Sequence, residues 1–393
     1  MKEINSHVRY IGADDAELDF FENQYALPRG MAYNSYLIMG EKVAVMDTVD
    51  ARKGEVWKEY LAQALEGREP DYLMIHHLEP DHSGLIAELA EKYPAMKMVA
   101  SAKAIAMLPQ FFDGDTFEGR TVAVKDGDSI DLGGLNLQFF LAPMVHWPEV
   151  AISYLKEDKI VFTADAFGTF GTLESSGFYG EDVPDWEKEA RRYYFNICGK
   201  YGGPVQAMLK KCCALDVEMI CPLHGPILRK NLSQYTDFYG TWSRYEAESS
   251  GVLVAYASIH GGTKAVAERF AEILAEKGSP EVTLFDLARG EQSEAVSEAF
   301  RHRTLVLAAA SYDSGLFPPA FEFIHHLQDK SWQKRRVGLI ENGSWAPSAG
   351  RVMCEMFAGM KDIEMAEPLV TIRSRMKESD LPALEALAEA LKQ

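Results

Sequence analysis

Cysteine is scarce in this 393-residue chain, and the five present, Cys198, Cys212, Cys213, Cys221 and Cys354, include no Cys-x-x-Cys pair. A tetrathiolate iron site or a zinc ribbon within this sequence is therefore excluded. The odd count fits reduced thiols that act as small apolar side chains. Long hydrophobic runs are also missing, since no stretch approaches the roughly 20 apolar residues of a membrane span. The first residues, Met1-Lys2-Glu3-Ile4-Asn5-Ser6, lack the apolar core of a signal peptide, so the cytoplasm is the expected location. Positive charge is in short supply: 40 Lys and Arg against 59 Asp and Glu leave a formal charge of −19. That balance argues against nucleic acid and anionic membrane as partners. Internal repeats and low-complexity stretches are absent too.

What is present suits a globular protein with buried cores: 47% hydrophobic and 25% charged residues. The length exceeds one ordinary domain, so two are expected. From residue 34 to 49, apolar runs around Gly40-Glu41-Lys42 predict paired strands, followed by a helix over 52–65 and a strand at 72–75. A strand at 96–100, a helix at 102–108 and short strands from 121 to 162 follow. Helices are expected at 186–198, 204–215 and 232–245, with a strand at 218–221. Strand-rich halves mixed with helices predict a layered α+β domain, an αββα sandwich, over residues 1–248. Near Glu246-Ala247-Glu248-Ser249-Ser250-Gly251 the pattern changes. Strands at 252–257, 281–285, 304–309 and 335–341 alternate with helices at 263–277, 317–329 and 348–359, and a last helix covers 379–392. That alternation predicts an α/β domain over 252–393, a doubly wound parallel sheet.

The stretch Ile75-His76-His77-Leu78-Glu79-Pro80-Asp81-His82-Ser83-Gly84 holds the densest chemistry. Within six residues, His77-x-Glu79-x-Asp81-His82 offers two imidazoles and two carboxylates on a turn between a strand and a helix. Pro80 stiffens that turn by restricting Glu79. Four ligands this close suit two metals better than one. Three later segments each follow an apolar strand with one more ligand in a Gly- or Pro-containing turn: His146, Asp165 and His224. Ligands on successive strand ends can converge at one edge of a sheet.

This pattern resembles the metallo-β-lactamase superfamily, and in detail it resembles the flavodiiron proteins, also called A-type flavoproteins. Lactamase-type hydrolases carry His-x-His-x-Asp-His, and Glu79 stands where they have the second His. A carboxylate there hardens the site and adds negative charge, which favours iron. By the resemblance, His77, Glu79 and His146 would hold one iron and Asp81, His82 and His224 the other, with Asp165 bridging a non-haem di-iron centre. His76, just ahead of the motif, is expected to be structural.

In the second half, Ser258-Ile259-His260-Gly261-Gly262-Thr263-Lys264 leads from a strand into a helix N-terminus, an arrangement that suits phosphate. It resembles the flavodoxin phosphate loop, with His260 where simple flavodoxins usually have a hydroxyl. Two more loops follow strands: Ser311-Tyr312-Asp313-Ser314-Gly315-Leu316, and Asn342-Gly343-Ser344-Trp345. In flavodoxin-like folds such loops flank an isoalloxazine, so Trp345 is expected to stack on the ring and Tyr312 to border it. FMN is expected rather than FAD, because the chain has no adenosine-binding Rossmann fingerprint.

The resemblance implies reduction of O2 to water or of NO to N2O, with FMN resupplying electrons to the metals. No separate acid or base is evident. The missing Cys-x-x-Cys pair implies a separate electron donor such as rubredoxin or its reductase. The family's head-to-tail homodimers, singly or as a dimer of dimers, place the flavin of one subunit near the irons of the other. Two other readings compete: a zinc hydrolase with an appended flavodoxin domain, and a non-catalytic redox or gas sensor. Glu79 counts against the first, and turnover with a reduced donor separates the second.

Overall fold

The computed structural model describes residues 1–113 and 117–392, so Gln393, the last residue of the expected second domain, lies outside the described residues. The chain divides into two compact units, Met1–Gly240 and Thr241–Gln393.

The first unit is built on two sheets. One runs β1 (Lys2–Glu3), β2 (Val8–Tyr10), β3 (Tyr36–Met39), β4 (Val43–Met46), β5 (Tyr72–Ile75), β6 (Lys97–Ser101) and β7 (Thr121–Val124), hydrogen-bonded in that order. Pairing is antiparallel from β1 through β4 and parallel from β4 through β7. The other runs β8 (Ser129–Asp131), β9 (Asn136–Leu141), β10 (Ala151–Leu155), β11 (Ile160–Phe162) and β12 (Met219–Cys221). Period-two alternation explains how the sheets meet. Tyr36, Ile38, Ala44, Met46, Met74 and Val99 of the first share one core with Leu137, Phe139, Leu155, Ile160 and Phe162 of the second. Leu37, Val45 and Leu73, on the opposite face, are also fully buried, as strands with both faces covered require. Flanking helices supply that cover; Gly54–Leu65 buries Trp57, Leu61, Ala64 and Leu65. The result is the αββα sandwich expected.

Most strands were legible because their apolar runs are short and bounded by turns. The ligand turn differs in one respect. Pro80–Ser83 forms a single helical turn with Pro at its first position, so Asp81 and His82 project from a helix rather than from a loop.

The second unit carries a parallel sheet in which β13 (Ser249–Ala257) lies between β14 (Val282–Asp286) and β15 (His302–Tyr312). β16 (Arg335–Asn342) follows β15, and two short strands, β17 (Ile363–Met365) and β18 (Val370–Ile372), both pair with β16. The order 2-1-3-4-5 is that of a flavodoxin-like doubly wound sheet. Two parts go beyond the pattern read from sequence. Helix Gln292–Arg301 buries Ala295, Val296, Ala299 and Phe300, a short stripe diluted by Ser and Glu. The fifth strand position is split around Pro368, so no apolar run marks it. Residues 241–248 bond into this unit: Arg335 donates to the Tyr245 carbonyl at 2.7 Å and the Glu248 N–H to the Arg301 carbonyl at 3.0 Å.

Candidate metal centre

Every expected metal ligand sits just beyond the C-terminal end of a strand or in the turn that follows it. β5 delivers His77 and, through the one-turn helix, Asp81 and His82; the β9–β10 connection carries His146; β11 leads to Asp165 and β12 to His224. The local backbone is tightly specified. Asp47, Met144, Ala164 and Phe167 all adopt positive φ without being glycine, at 54°, 64°, 50° and 69°. Such conformations cost energy and persist where the surroundings over-determine them. Gly225, directly after His224, has φ +71°, and a Cβ there would meet Thr169 Oγ1 at 2.2 Å. Asn34 holds the same turn by donating to the carbonyls of Pro222 (2.9 Å) and Gly225 (2.8 Å).

The seven side chains converge into two groups. Ligand atoms of His77, Glu79, His146 and Asp165 all lie within 4.8 Å of one another, and so do those of Asp81, His82 and His224. Asp165 joins them. Its Oδ2 faces His146 Nε2 at 2.9 Å and His77 Nε2 at 3.5 Å, while its Oδ1 faces His82 Nε2 at 3.1 Å and His224 Nε2 at 3.8 Å. Glu79 Oε2 completes the first group, 3.2 Å from His77 Nε2 and 3.1 Å from His146 Nε2. Asp81 completes the second, 3.3 Å from His224 and 3.5 Å from His82. Donors about 2.1 Å from a shared ion lie roughly 3–3.5 Å apart, so these spacings fit the edges of a coordination shell.

The chemistry of the donors agrees. His77 Nε2, both oxygens of Asp81 and of Asp165, both nitrogens of His82, and His224 Nε2 are buried with no hydrogen-bond partner among the described residues. Their mutual approaches are close in distance but lack hydrogen-bond geometry. Orphaned buried groups in such number are costly unless a cation satisfies them.

At the C-terminal ends of the second sheet, the expected loops also lie together. Gly261 caps helix Gly262–Glu276 with φ 86°, and its N–H donates to Ser258 Oγ at 3.1 Å. Ile259, His260 and Gly261 are exposed, whereas Thr263 is buried. Asp313 and Ser314 form the positive-φ tip of a hairpin that ends at Gly315 and the buried Leu316. Trp345 is 89% exposed and Tyr312 45%. Large aromatics left open at strand ends fit a ring that stacks on them. Ser311 is engaged within the protein, where its hydroxyl accepts from the N–H groups of Ser348 (2.8 Å) and Ala349 (3.1 Å) at a helix start. Asn342 is likewise held, with its amide bonded to both backbone groups of Ser374 at 3.0 Å.

Comparison with known proteins bears on both units. A family model described as "ODP family beta lactamase" matches residues 31–225. An anaerobic nitric oxide reductase flavorubredoxin of Vibrio vulnificus is 28% identical over 349 residues, 87% of this chain and 70% of that one. An uncharacterized protein of Methanocaldococcus jannaschii is 28% identical over 96% of this chain and 95% of its own. Rubredoxin oxygen:oxidoreductase from Desulfovibrio gigas superposes with a TM-score of 0.91 at 24% identity, covering 99% of this chain and 97% of that one. The flavodiiron protein from Giardia intestinalis gives 0.90 at 20% identity, covering 100% and 96%. The chain belongs to the flavodiiron protein family. Its class is oxidoreductase.

Sequence reasoning missed several residues that this flavodiiron protein places around the cluster. Glu149, buried, lies with Oε1 2.7 Å from His77 Nδ1. The Leu78 N–H lies 3.0 Å from that oxygen and 3.1 Å from Nδ1; the carboxylate takes it, because Nδ1 must donate to an acceptor-only carboxylate. The only hint was an acidic residue three places after His146. His224 Nδ1 donates to the Ala32 carbonyl at 2.8 Å. His76, as expected, is structural in its contacts: Nδ1 meets Asp47 at 2.6 Å and Nε2 meets Ser153 at 2.8 Å. Phe21, Tyr33 and Tyr193 wall His224, with ring centroids 5.5, 6.0 and 5.7 Å from its own. Ser374, after β18, was also unread. Its hydroxyl meets Ser344 at 2.7 Å, and its carbonyl would lie 2.5 Å from a Cβ on Gly262.

The electrostatics follow from burial set against close charges. Burial opposes charge on His77, yet Asp165, Glu149 and Glu79 outweigh it and hold the imidazole well above its ordinary value. Burial likewise opposes His146, and Asp165 and Glu79 lift it to about 9. Against burial, His146 and His77 hold Glu79 below the usual carboxylate range, and the imidazoles do the same for Asp165. A raised imidazole contributes stability that is fully present below its unfolded value and fades as pH rises through its folded one. The chain stripped of metal should therefore lose roughly 3 kcal/mol between about pH 7 and about pH 10 from His146 alone. A Tm of the chelated protein that stays flat across that range would contradict this. Metal held by these side chains would run the other way: it would displace the protons on His77, His82 and His146, so its binding should strengthen as pH rises.

Proposed function

We propose that this chain reduces O2 to water or NO to N2O, taking electrons from an external donor through FMN to a non-haem di-iron centre. In this reading the unit Met1–Gly240 is the metal domain and the unit Thr241–Gln393 the flavin domain. The observation that carries it is Asp165, whose two oxygens face different imidazole pairs, as a bridging ligand requires. His77, Glu79 and His146 would hold one iron, and Asp81, His82 and His224 the other. Three carboxylates among seven donors, with Glu79 in place of an imidazole, favour iron over the zinc of a hydrolase. Bound iron supplies redox-active positions open to a diatomic gas, and bound FMN supplies electrons one at a time. Ser258 to Thr263 would hold the FMN phosphate at the start of helix Gly262–Glu276, while Trp345 and Tyr312 offer faces for the ring. A rubredoxin or its reductase would serve as donor, acting on a head-to-tail homodimer.

Protein side chains must also keep water out and hold protons near the cluster. Phe21 and Phe170, both buried, pack around Tyr193 beside His224. The Tyr193 hydroxyl is buried with no hydrogen-bond partner among the described residues. Burial first, then the charges of Asp165 and its neighbours, push its pKa well up, so it stays protonated and can donate at the cluster. Tyr193→Phe should keep metal and fold and slow gas reduction by about 100-fold or more. A variant turning over at the parent rate removes Tyr193 from the mechanism.

The direct test is metal and flavin content, followed by anaerobic addition of NO or O2 to the reduced protein. Two irons and one FMN per chain with rapid reoxidation by either gas is the expected result. Zinc in place of iron, with reoxidation no faster than that of a free flavodoxin, overturns the reading.

A further inference from the structure

The two metal groups are built from similar donors, but their imidazoles are backed differently. A ligating imidazole uses one ring nitrogen for the metal, and the group bonded to the other nitrogen fixes its tautomer and its donor strength. Behind His77 stands a carboxylate, with Glu149 Oε1 2.7 Å from Nδ1, leaving Nε2 pointed at Glu79 and Asp165. Behind His224 stands a neutral backbone carbonyl, that of Ala32, at 2.8 Å. Behind His82 stands nothing among the described residues, since its Nδ1 is buried without a partner.

Glu149 is held in place independently of the metal donors. Its Oε1 also accepts the Leu78 N–H at 3.0 Å, and its backbone carbonyl accepts the Ser101 hydroxyl at 2.7 Å. The residue is 1% exposed, and its Oε2 is buried with no partner among the described residues. Its charge is therefore directed onto the His77 ring rather than into solvent. A fixed negative group behind a neutral imidazole makes the metal-facing nitrogen a stronger donor.

We propose that Glu149 is a positioning residue that makes the His77–Glu79–His146 position the tighter of two unequal metal sites, filled first. This rests on the di-iron reading above. The second position, with a carbonyl behind one imidazole and no partner behind the other, fills later and loses metal first.

The test is an anaerobic titration of the chelated full-length protein with Co(II), followed by its visible bands, and with Fe(II), followed by competition against a chelator. The parent should show two classes, one equivalent bound tightly before the next. Glu149→Gln keeps the shape but replaces the carboxylate. It should weaken the tight class by about 10–100-fold and leave the other near its parent affinity, so that the two merge. Asp81→Asn, in the second group, should remove the weaker class and spare the tight one, which shows independently which position fills first.

Two equal classes in the parent overturn the inference while leaving the di-iron reading intact. So does a Glu149→Gln variant with both parent affinities, or an Asp81→Asn variant that loses the tight class. A parent that binds neither metal at the cluster overturns the di-iron reading itself.

Discussion

Asp165→Ala should empty both metal positions at once and bring gas reduction to background, while FMN stays bound. The carboxylate is fully buried, and each of its oxygens faces imidazoles of a different group. Removing it deletes one donor from each group and leaves four imidazoles around an unfilled centre with two carboxylates instead of three. Losing even a residue behind a ligand costs about 10–100-fold in metal affinity, so a shared donor should cost more than about 100-fold. His146→Ala is the useful comparison, because it removes a donor from one group only; it should also lose iron and gas reduction, with the damage starting at the His77 position. Iron per chain, the flavin spectrum and NO consumption read all three effects. An Asp165→Ala protein that keeps its iron and its rate would remove the basis for two metals sharing a carboxylate.

Much of this cluster was legible because the side chains that meet in it are signalled locally. His77, Glu79, Asp81 and His82 crowd into six residues, and His146, Asp165 and His224 each follow an apolar strand. The physical rule is simple: parallel strand ends bring side chains that are far apart in sequence to one edge. What the rule cannot deliver is the material behind the ligands. Glu149 reaches His77 across 72 positions and Ala32 reaches His224 across 192. Neither contact leaves a spacing in the sequence, because each depends on how the two sheets are layered. Tyr193 is hidden in the same way: it sits in a helix whose aromatic stripe reads as ordinary core.

The second unit shows a different limit. Its first four strands are long or strongly apolar and were read from sequence, but the last position is two three-residue strands separated by four residues that include Pro368. With no apolar run to find, the loop after β18 went unread, and so did Ser374. Ser311 and Asn342, expected in loops, lie instead at the ends of β15 and β16, and their polar atoms bond to the protein itself, to Ser348, Ala349 and Ser374. The neighbourhood of a strand end is visible in sequence; the direction of a polar side chain there is not.

That unread loop sets the largest effect expected in this unit, at Gly262. A Cβ on Gly262 would lie 2.5 Å from the Ser374 carbonyl oxygen and 3.3 Å from Asn342 Nδ2. The first neighbour is backbone and cannot swing away, so a side chain must push the proposed phosphate loop off the β18 loop. Gly262→Val adds branching to that clash and should cost about 1–3 kcal/mol of local stability. The greater loss falls on FMN, because a displaced helix start no longer presents its N–H groups to one point. Binding should weaken by at least about 100-fold, close to 3 kcal/mol, and the protein should purify without flavin. Gly261 provides the control. A Cβ there meets nothing within 4 Å, so Gly261→Ala carries only the strain of a φ of +86°, about 1–2 kcal/mol. Both variants should retain iron, since the proposed metal ligands all lie in the other unit. Chemically reduced Gly262→Val protein should then still consume NO stoichiometrically while failing to turn over with an external donor. Full turnover without bound FMN would show that electrons reach the metals by a route that bypasses the flavin.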